Sequence, residues 1–138
     1  MSVGDALYFD TSALVKLVVK ERESASLDAW LQQRPQMEAV SSSIARTELR
    51  RAVMAHQPVV RAAAVERLRK LRLVATGDRL LDEAGQLGPA RLRSVDAIHL
   101  ATARRIGPRL QAVITYDLRM IEAAKGLGMP VAHPGLTA

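Results

Sequence analysis

Cysteine is absent from the 138 residues of this chain. Its absence excludes disulfides, a thiolate nucleophile and the Cys-ligated zinc ribbons, and the composition suits a reducing compartment. Aromatic residues are almost as scarce, with one Trp, one Phe and two Tyr, too few for a platform of rings on which single-stranded nucleic acid stacks. No apolar run approaches the roughly 18 residues that a membrane span needs. The opening Met1-Ser2-Val3-Gly4-Asp5 lacks the basic segment of a secretory leader. Together these absences lead us to expect a cytoplasmic chain that does not engage the membrane. Acidic residues are outnumbered, 14 against 20 basic ones, for a formal charge of +6, and 16 of the basic residues are Arg. Guanidinium forks pair with phosphates and release counterions, so this balance fits a polyanionic partner, although it equally serves solubility.

What is present is a regular alternation of short apolar runs and longer amphipathic stretches. A length of 138 residues forms one domain, 1–138, able to bury roughly 65 to 70% of its unfolded surface. Residues 6–9 read as a strand and 12–19 as an apolar helix, followed by the charged break Lys20-Glu21-Arg22-Glu23. A helix over 24–34 carries Leu27, Trp30 and Leu31 on one face and stops at Pro35. Residues 37–40 form a second short strand, and Ser41-Ser42-Ser43 supply turn and cap chemistry before a helix over 43–54. Pro58 opens a further helix to residue 71, 73–76 read as a third strand, and Asp78 caps a helix that Gly88-Pro89 ends. Ser94 opens the next helix. Residues 112–115 form the most apolar strand, 118–127 a helix and 129–132 a last strand, leaving 133–138 as a loose tail. Strands alternating with helices predict an α/β fold with a parallel sheet and helices on both faces.

The acids fall at particular places in this pattern. Asp10 and Asp117 each end an apolar strand, in Tyr8-Phe9-Asp10 and Tyr116-Asp117. Asp96 lies in the first turn of the helix opened by Ser94, where the macrodipole favours negative charge, and Glu48 shares a helical stripe with Ile44 and Arg51. In an open parallel sheet, ligands bind beyond the carboxyl ends of the strands, so these four acids can converge. Ordinary readings stand beside this one: Asp10 or Thr11 as a helix cap, Glu48 as a solvated helix position, and His99, three residues after Asp96 and able to help position substrate, as packing or a donor to the backbone. Four carboxylates without Cys or a His pair suit a hard cation, Mg²⁺ or Mn²⁺, with oxygen ligands. Such an ion activates water and stabilises the leaving oxygen of a phosphodiester.

The stretches Tyr8-Phe9-Asp10-Thr11-Ser12-Ala13-Leu14-Val15-Lys16-Leu17, Glu48, Asp96-Ala97-Ile98-His99-Leu100-Ala101-Thr102-Ala103 and Ile114-Thr115-Tyr116-Asp117 resemble the PIN-domain ribonucleases, and more narrowly the VapC-type toxins of toxin–antitoxin pairs. The resemblance spans almost the whole chain. It implies a parallel five-stranded sheet in which the strands ending at Asp10 and Asp117 are neighbours. It also implies Asp10 and Asp96 as principal metal ligands, Glu48 and Asp117 as the acids that complete the site, and Ser12 and Thr115 as hydroxyls supporting it. A VapB-type antitoxin, an RNA substrate and a second copy of the chain are the implied partners. One departure lies after the first helix. There many relatives carry a Glu followed by a Pro-Gly turn and this chain has Lys20-Glu21-Arg22-Glu23-Ser24, which makes Glu21 a surface charge.

The expected activity is therefore metal-dependent endoribonuclease cleavage, with Arg91 and Arg93, just before the Asp96 helix, contacting RNA. Two rivals remain at this level. A phosphatase or dehalogenase would use Asp10 as nucleophile, but that chemistry usually places a second acid two residues later, where this chain has Ser12. A non-catalytic RNA-binding or antitoxin-sequestering module on the same scaffold is the other.

Overall fold

The computed structural model describes residues 4–137. The start at Met1–Val3 and the final Ala138 lie outside the described residues. Five strands run β1 (Ala6–Phe9), β2 (Glu38–Ser42), β3 (Arg72–Val74), β4 (Leu110–Ile114) and β5 (Val131–Ala132). They form one sheet in the order β3-β2-β1-β4-β5 with every pairing parallel. The order reverses at β1, so the carboxyl ends of β1 and β4 flank the switch point, as expected from the alternation of elements.

The helices are α1 (Thr11–Val18), α2 (Ser24–Gln32), α3 (Ala45–Ala52), α4 (Pro58–Arg69), α5 (Asp78–Gly85), α6 (Ser94–Arg104) and α7 (Leu118–Gly126), with a short 3₁₀ turn at Gly107–Arg109. Because side chains alternate across a strand, β1 feeds two cores. Leu7 and Phe9 pack with Leu14, Leu27, Leu49 and Leu68 from α1 to α4. Ala6 and Tyr8 pack on the opposite face with Leu100, Ala103, Met120 and Ala124 from α6 and α7. All four residues of β1 are buried, which is why the strand reads as an uninterrupted apolar run. Leu80 and Ala84 of α5 close against Ala97 and Ala101 of α6, where small side chains permit close approach. Among the described residues no helix is long and apolar enough to cross a membrane.

Several local expectations are corrected. Ser41 does not turn the chain; it and Ser42 are the last residues of β2 and fully buried. Ser41 Oγ donates to the Phe9 carbonyl at 2.6 Å and Ser42 Oγ accepts from the Ile44 amide at 3.2 Å at the turn into α3, so both hydroxyls are satisfied. Gly77, not Asp78, occupies the N-cap of α5 and makes no side-chain cap bond, whereas Ser94 is the first residue of α6, as expected. The tail is docked: Tyr116 Oη donates to the Pro134 carbonyl at 2.8 Å. Gly135 turns with φ 86° so close to α2 that a Cβ there would meet Ser26 at 2.7 Å.

The loop after α1, where the Pro-Gly turn is missing, is closed by Ser24. Its Oγ accepts from the Glu21 amide at 2.9 Å and donates to the Lys16 carbonyl at 2.7 Å. Lys16 Nζ then bridges Glu21 at 3.1 Å and Glu23 at 2.8 Å, 4.7 Å from the centre of the Tyr116 ring. Glu21 is thus one arm of an ion-pair cluster.

Leu14 is 0% exposed where α1 meets the first core. Leu14→Ala should lower unfolding stability by about 2 to 5 kcal/mol, as buried leucine truncations do, read as a shift in urea midpoint at constant m-value. A loss below about 1 kcal/mol would contradict this packing.

Candidate functional site

Asp10 begins the site because it follows the last residue of β1 and starts α1. Its amide still donates to the Ile114 carbonyl at 3.2 Å, continuing the ladder, while its extended backbone (φ −81°, ψ 177°) makes it the N-cap. Oδ1 accepts from the Ala13 amide at 3.0 Å and from Ser12 Oγ at 2.6 Å; Oδ2 accepts from Thr115 Oγ1 at 2.5 Å. Capping and site geometry are therefore the same bonds. Asp117 repeats the device after β4, with Oδ1 accepting from the Arg119 and Met120 amides at 2.9 and 3.4 Å as the N-cap of α7.

Asp96 enters from the first turn of α6. Glu48 enters from α3, which packs on the other face of the sheet. Its Oε1 accepts from Thr11 Oγ1 at 2.6 Å and meets His99 Nε2 of α6 at 2.7 Å. Glu48 and His99 thus join helices from opposite faces across the carboxyl edge of the sheet.

Burial sets the electrostatics. It pushes Asp10 above the usual carboxylate range, against the pull of its Ser12 and Thr115 bonds and the nearby His99. Burial also raises Asp96, and the charges of Asp117 and Asp10 raise it further, while His99 opposes them. Glu48 differs: burial pushes it up, but the His99 and Thr11 bonds prevail and hold it below the ordinary value. Like charges that raise one another favour a cation or a retained proton between them. Among the described residues no three of His, Cys, Asp and Glu stand close enough to enclose an ion. The donor set is nonetheless all oxygen, and Mg²⁺ binds through one or two carboxylates while keeping several waters. The residues fit such an ion.

Ser12 and Thr115 both touch Asp10. Ser12 Oγ also accepts from the Tyr116 amide at 2.9 Å, and Thr115 Oγ1 from the Asp117 amide at 3.2 Å, so these hydroxyls tie β1 to β4. Arg91 and Arg93 line a groove of about 660 Å³ together with Asp96, Leu92, Leu127 and Arg119. Arg91 lies 3.7 Å from Glu122 in an exposed pair. Three participants go beyond the sequence reading. Arg119 joins the groove, Thr11 grips Glu48 rather than merely opening a helix, and His99 bonds Glu48 and Tyr8 side chains rather than the backbone. A signal for the last existed: Tyr8 is two residues before Asp10, so it shares that residue's face of the strand.

A family model for the PIN domain matches residues 7–126. The chain is 47% identical over 129 residues to Ribonuclease VapC46 of Mycobacterium tuberculosis, covering 94% of this chain and 98% of that protein. It is 39% identical over 132 residues to Ribonuclease VapC47 of the same species, covering 94% and 97%. The fold is similar to the crystal structure of M. tuberculosis VapC20, a sarcin-ricin loop cleaving toxin, with a TM-score of 0.71 at 19% identity over 94% of this chain and 100% of that one. It is similar also to PAE2754 from Pyrobaculum aerophilum, with a TM-score of 0.57 at 23% identity over 90% of each. With the strand-end acids in place and a family match over most of its length, the chain belongs to the PIN-domain family, among its VapC-type ribonucleases.

Proposed function

We propose that this chain is a metal-dependent endoribonuclease and the toxin of a toxin–antitoxin pair, cutting RNA with water activated at its carboxylate edge. The observation that carries the reading is the set of three aspartates, brought by three different elements, of which Asp96 is raised by burial first and then by the charges of the other two. The full-length likeness to chains named ribonucleases supports it. Asp10 and Asp96 would hold Mg²⁺ or Mn²⁺, with Asp117 and Glu48 completing the shell through water. The ion, when bound, lowers the pKa of a coordinated water and neutralises charge on the leaving oxygen.

The chain's own residues do the rest. Ser12, Thr115 and the Ala13 amide hold the Asp10 carboxylate in one orientation. Glu48, kept ionised by His99 and Thr11, offers its second oxygen to a hydrogen bond from the attacking water. Arg91, Arg93 and Arg119 ring the groove beside Asp96, where their guanidinium forks suit the phosphates flanking the scissile bond. An Asp10 nucleophile is disfavoured because Ser12, at the place of the second acid, is committed to Asp10 Oδ1 and the Tyr116 amide. A VapB-type antitoxin covering this edge and a second copy of the chain complete the reading as partners.

Purified wild type should cut RNA in Mg²⁺ or Mn²⁺ and stop in EDTA, and Asp96→Asn prepared identically should show background in all three. Equal cleavage by both proteins would mean that the activity is not seated at Asp96.

In metal-free protein Asp96 binds its proton more tightly folded than unfolded, because its carboxyl is raised from 3.8. Its stabilising contribution is full in acid and is lost as pH rises through the folded value. Relative to Asp96→Asn, wild type in EDTA should therefore lose thermal stability as the pH rises above the ordinary value of 3.8. Millimolar Mg²⁺ should restore wild type selectively by binding only the folded state. A difference that does not vary with pH, or equal metal shifts in both proteins, would contradict the charge cluster.

A further inference from the structure

We propose that His99 is a positioning residue: locked between Tyr8 and Glu48, it decides which oxygen of Glu48 is presented to the catalytic edge. The proposal deepens the nuclease reading and rests on it for its catalytic consequence.

Three side chains from separate elements form an unbroken chain. Tyr8 of β1 is 0% exposed and its Oη lies 2.7 Å from His99 Nδ1; His99 is 2% exposed and its Nε2 lies 2.7 Å from Glu48 Oε1. The two rings meet edge to face, 5.8 Å between centroids and 69° between planes. Thr11 Oγ1 donates to the same Oε1 at 2.6 Å. An ionised carboxylate only accepts, so Nε2 must carry the proton toward Glu48. Tyr8 Oη closes the chain on the other ring nitrogen, Nδ1. The ring is thus held at both nitrogens, with Nε2 the one that donates toward Glu48.

The consequence falls on Glu48. Both of its tight partners occupy Oε1, which fills the two lone pairs of that oxygen and leaves Oε2 available. A half-exposed Glu on a helix surface ordinarily samples many rotamers. Here one oxygen is pinned from α1 and α6 together, so the other is aimed. An outer-shell imidazole held by a second hydrogen bond at its other nitrogen is a known means of orienting a carboxylate or ligand. Tyr8 then has a role beyond filling the core: it holds the second ring nitrogen and keeps the imidazole from turning.

The first test is ¹⁵N NMR of the His99 ring in metal-free protein, which needs neither ion nor substrate. The expected spectrum has Nε2 protonated and hydrogen-bonded in wild type, and an averaged, exchange-broadened ring in Tyr8→Phe, which keeps the packing. An unprotonated Nε2 in wild type, or no change in Tyr8→Phe, overturns the proposal. The second test compares His99→Leu with His99→Gln, whose amide still donates to Glu48, for Mn²⁺ affinity by calorimetry and for RNA cleavage. His99→Leu should lose about 10- to 100-fold in Mn²⁺ affinity or kcat, the range for outer-shell partners, with KM for RNA little changed and His99→Gln recovering most of the loss. Gln as poor as Leu would reduce His99 to a packing residue and overturn the proposal. Wild type that binds Mn²⁺ without cutting RNA would count against the nuclease reading alone, since ring protonation and affinity are read without substrate.

Discussion

The Asp10 carboxylate is the constraint around which this molecule is arranged. A buried carboxylate costs several kcal/mol unless its oxygens are satisfied, and this one is 4% exposed at the centre of the sheet. The chain satisfies it with the Ala13 amide, Ser12 and Thr115. Those three partners require that α1 start at once after β1, that β4 lie beside β1, and that β4 end in a hydroxyl. Sheet order, the abrupt strand-to-helix turn and the pairing of β1 with β4 are thus linked to one charged group. Even so, burial still outweighs the hydrogen bonds and leaves the group raised, a residual tension that a cation would relieve.

The other acids divide by their surroundings. Asp96 faces Asp117 and Asp10 and is raised by them after burial, whereas Glu48 faces an imidazole and a hydroxyl and is held low. A raised acid among like charges is one that a bound cation would relieve, and an ionised one with a free oxygen can accept a hydrogen bond from a water. One fold edge therefore offers two kinds of carboxylate. Arg91, Arg93 and Arg119 line one groove together with Asp96, so a phosphate drawn in there would lie next to that acid.

Much of this was legible in the sequence, for identifiable reasons. β1 and β4 are apolar on both faces and stop in Asp, so their burial, their parallel pairing and the place of Asp10 and Asp117 follow from local pattern. Ser12 lies two residues from the acid it serves, whereas Thr115 reaches Asp10 from 105 residues away. Ser41 misled because serine is usually turn chemistry, yet here its hydroxyl bonds the neighbouring strand, while Ser42 ends β2 with its hydroxyl taking the Ile44 amide at the turn into α3. The tail misled because its anchor, Tyr116 to Pro134, spans from another element. His99 was the largest gap. Its partners lie 91 and 51 residues away, and no spacing along one helix reports on a contact that crosses the edge of the sheet.

The most direct test of the account is diffraction from crystals soaked in Mn²⁺, with anomalous data to locate the ion without assumption. The account predicts a peak at the carboxyl edge of the sheet, touched by Asp10 and Asp96, with Asp117 or Glu48 reached directly or through water. A peak confined to exposed acids such as Glu83, or none at concentrations that support RNA cleavage, would contradict it.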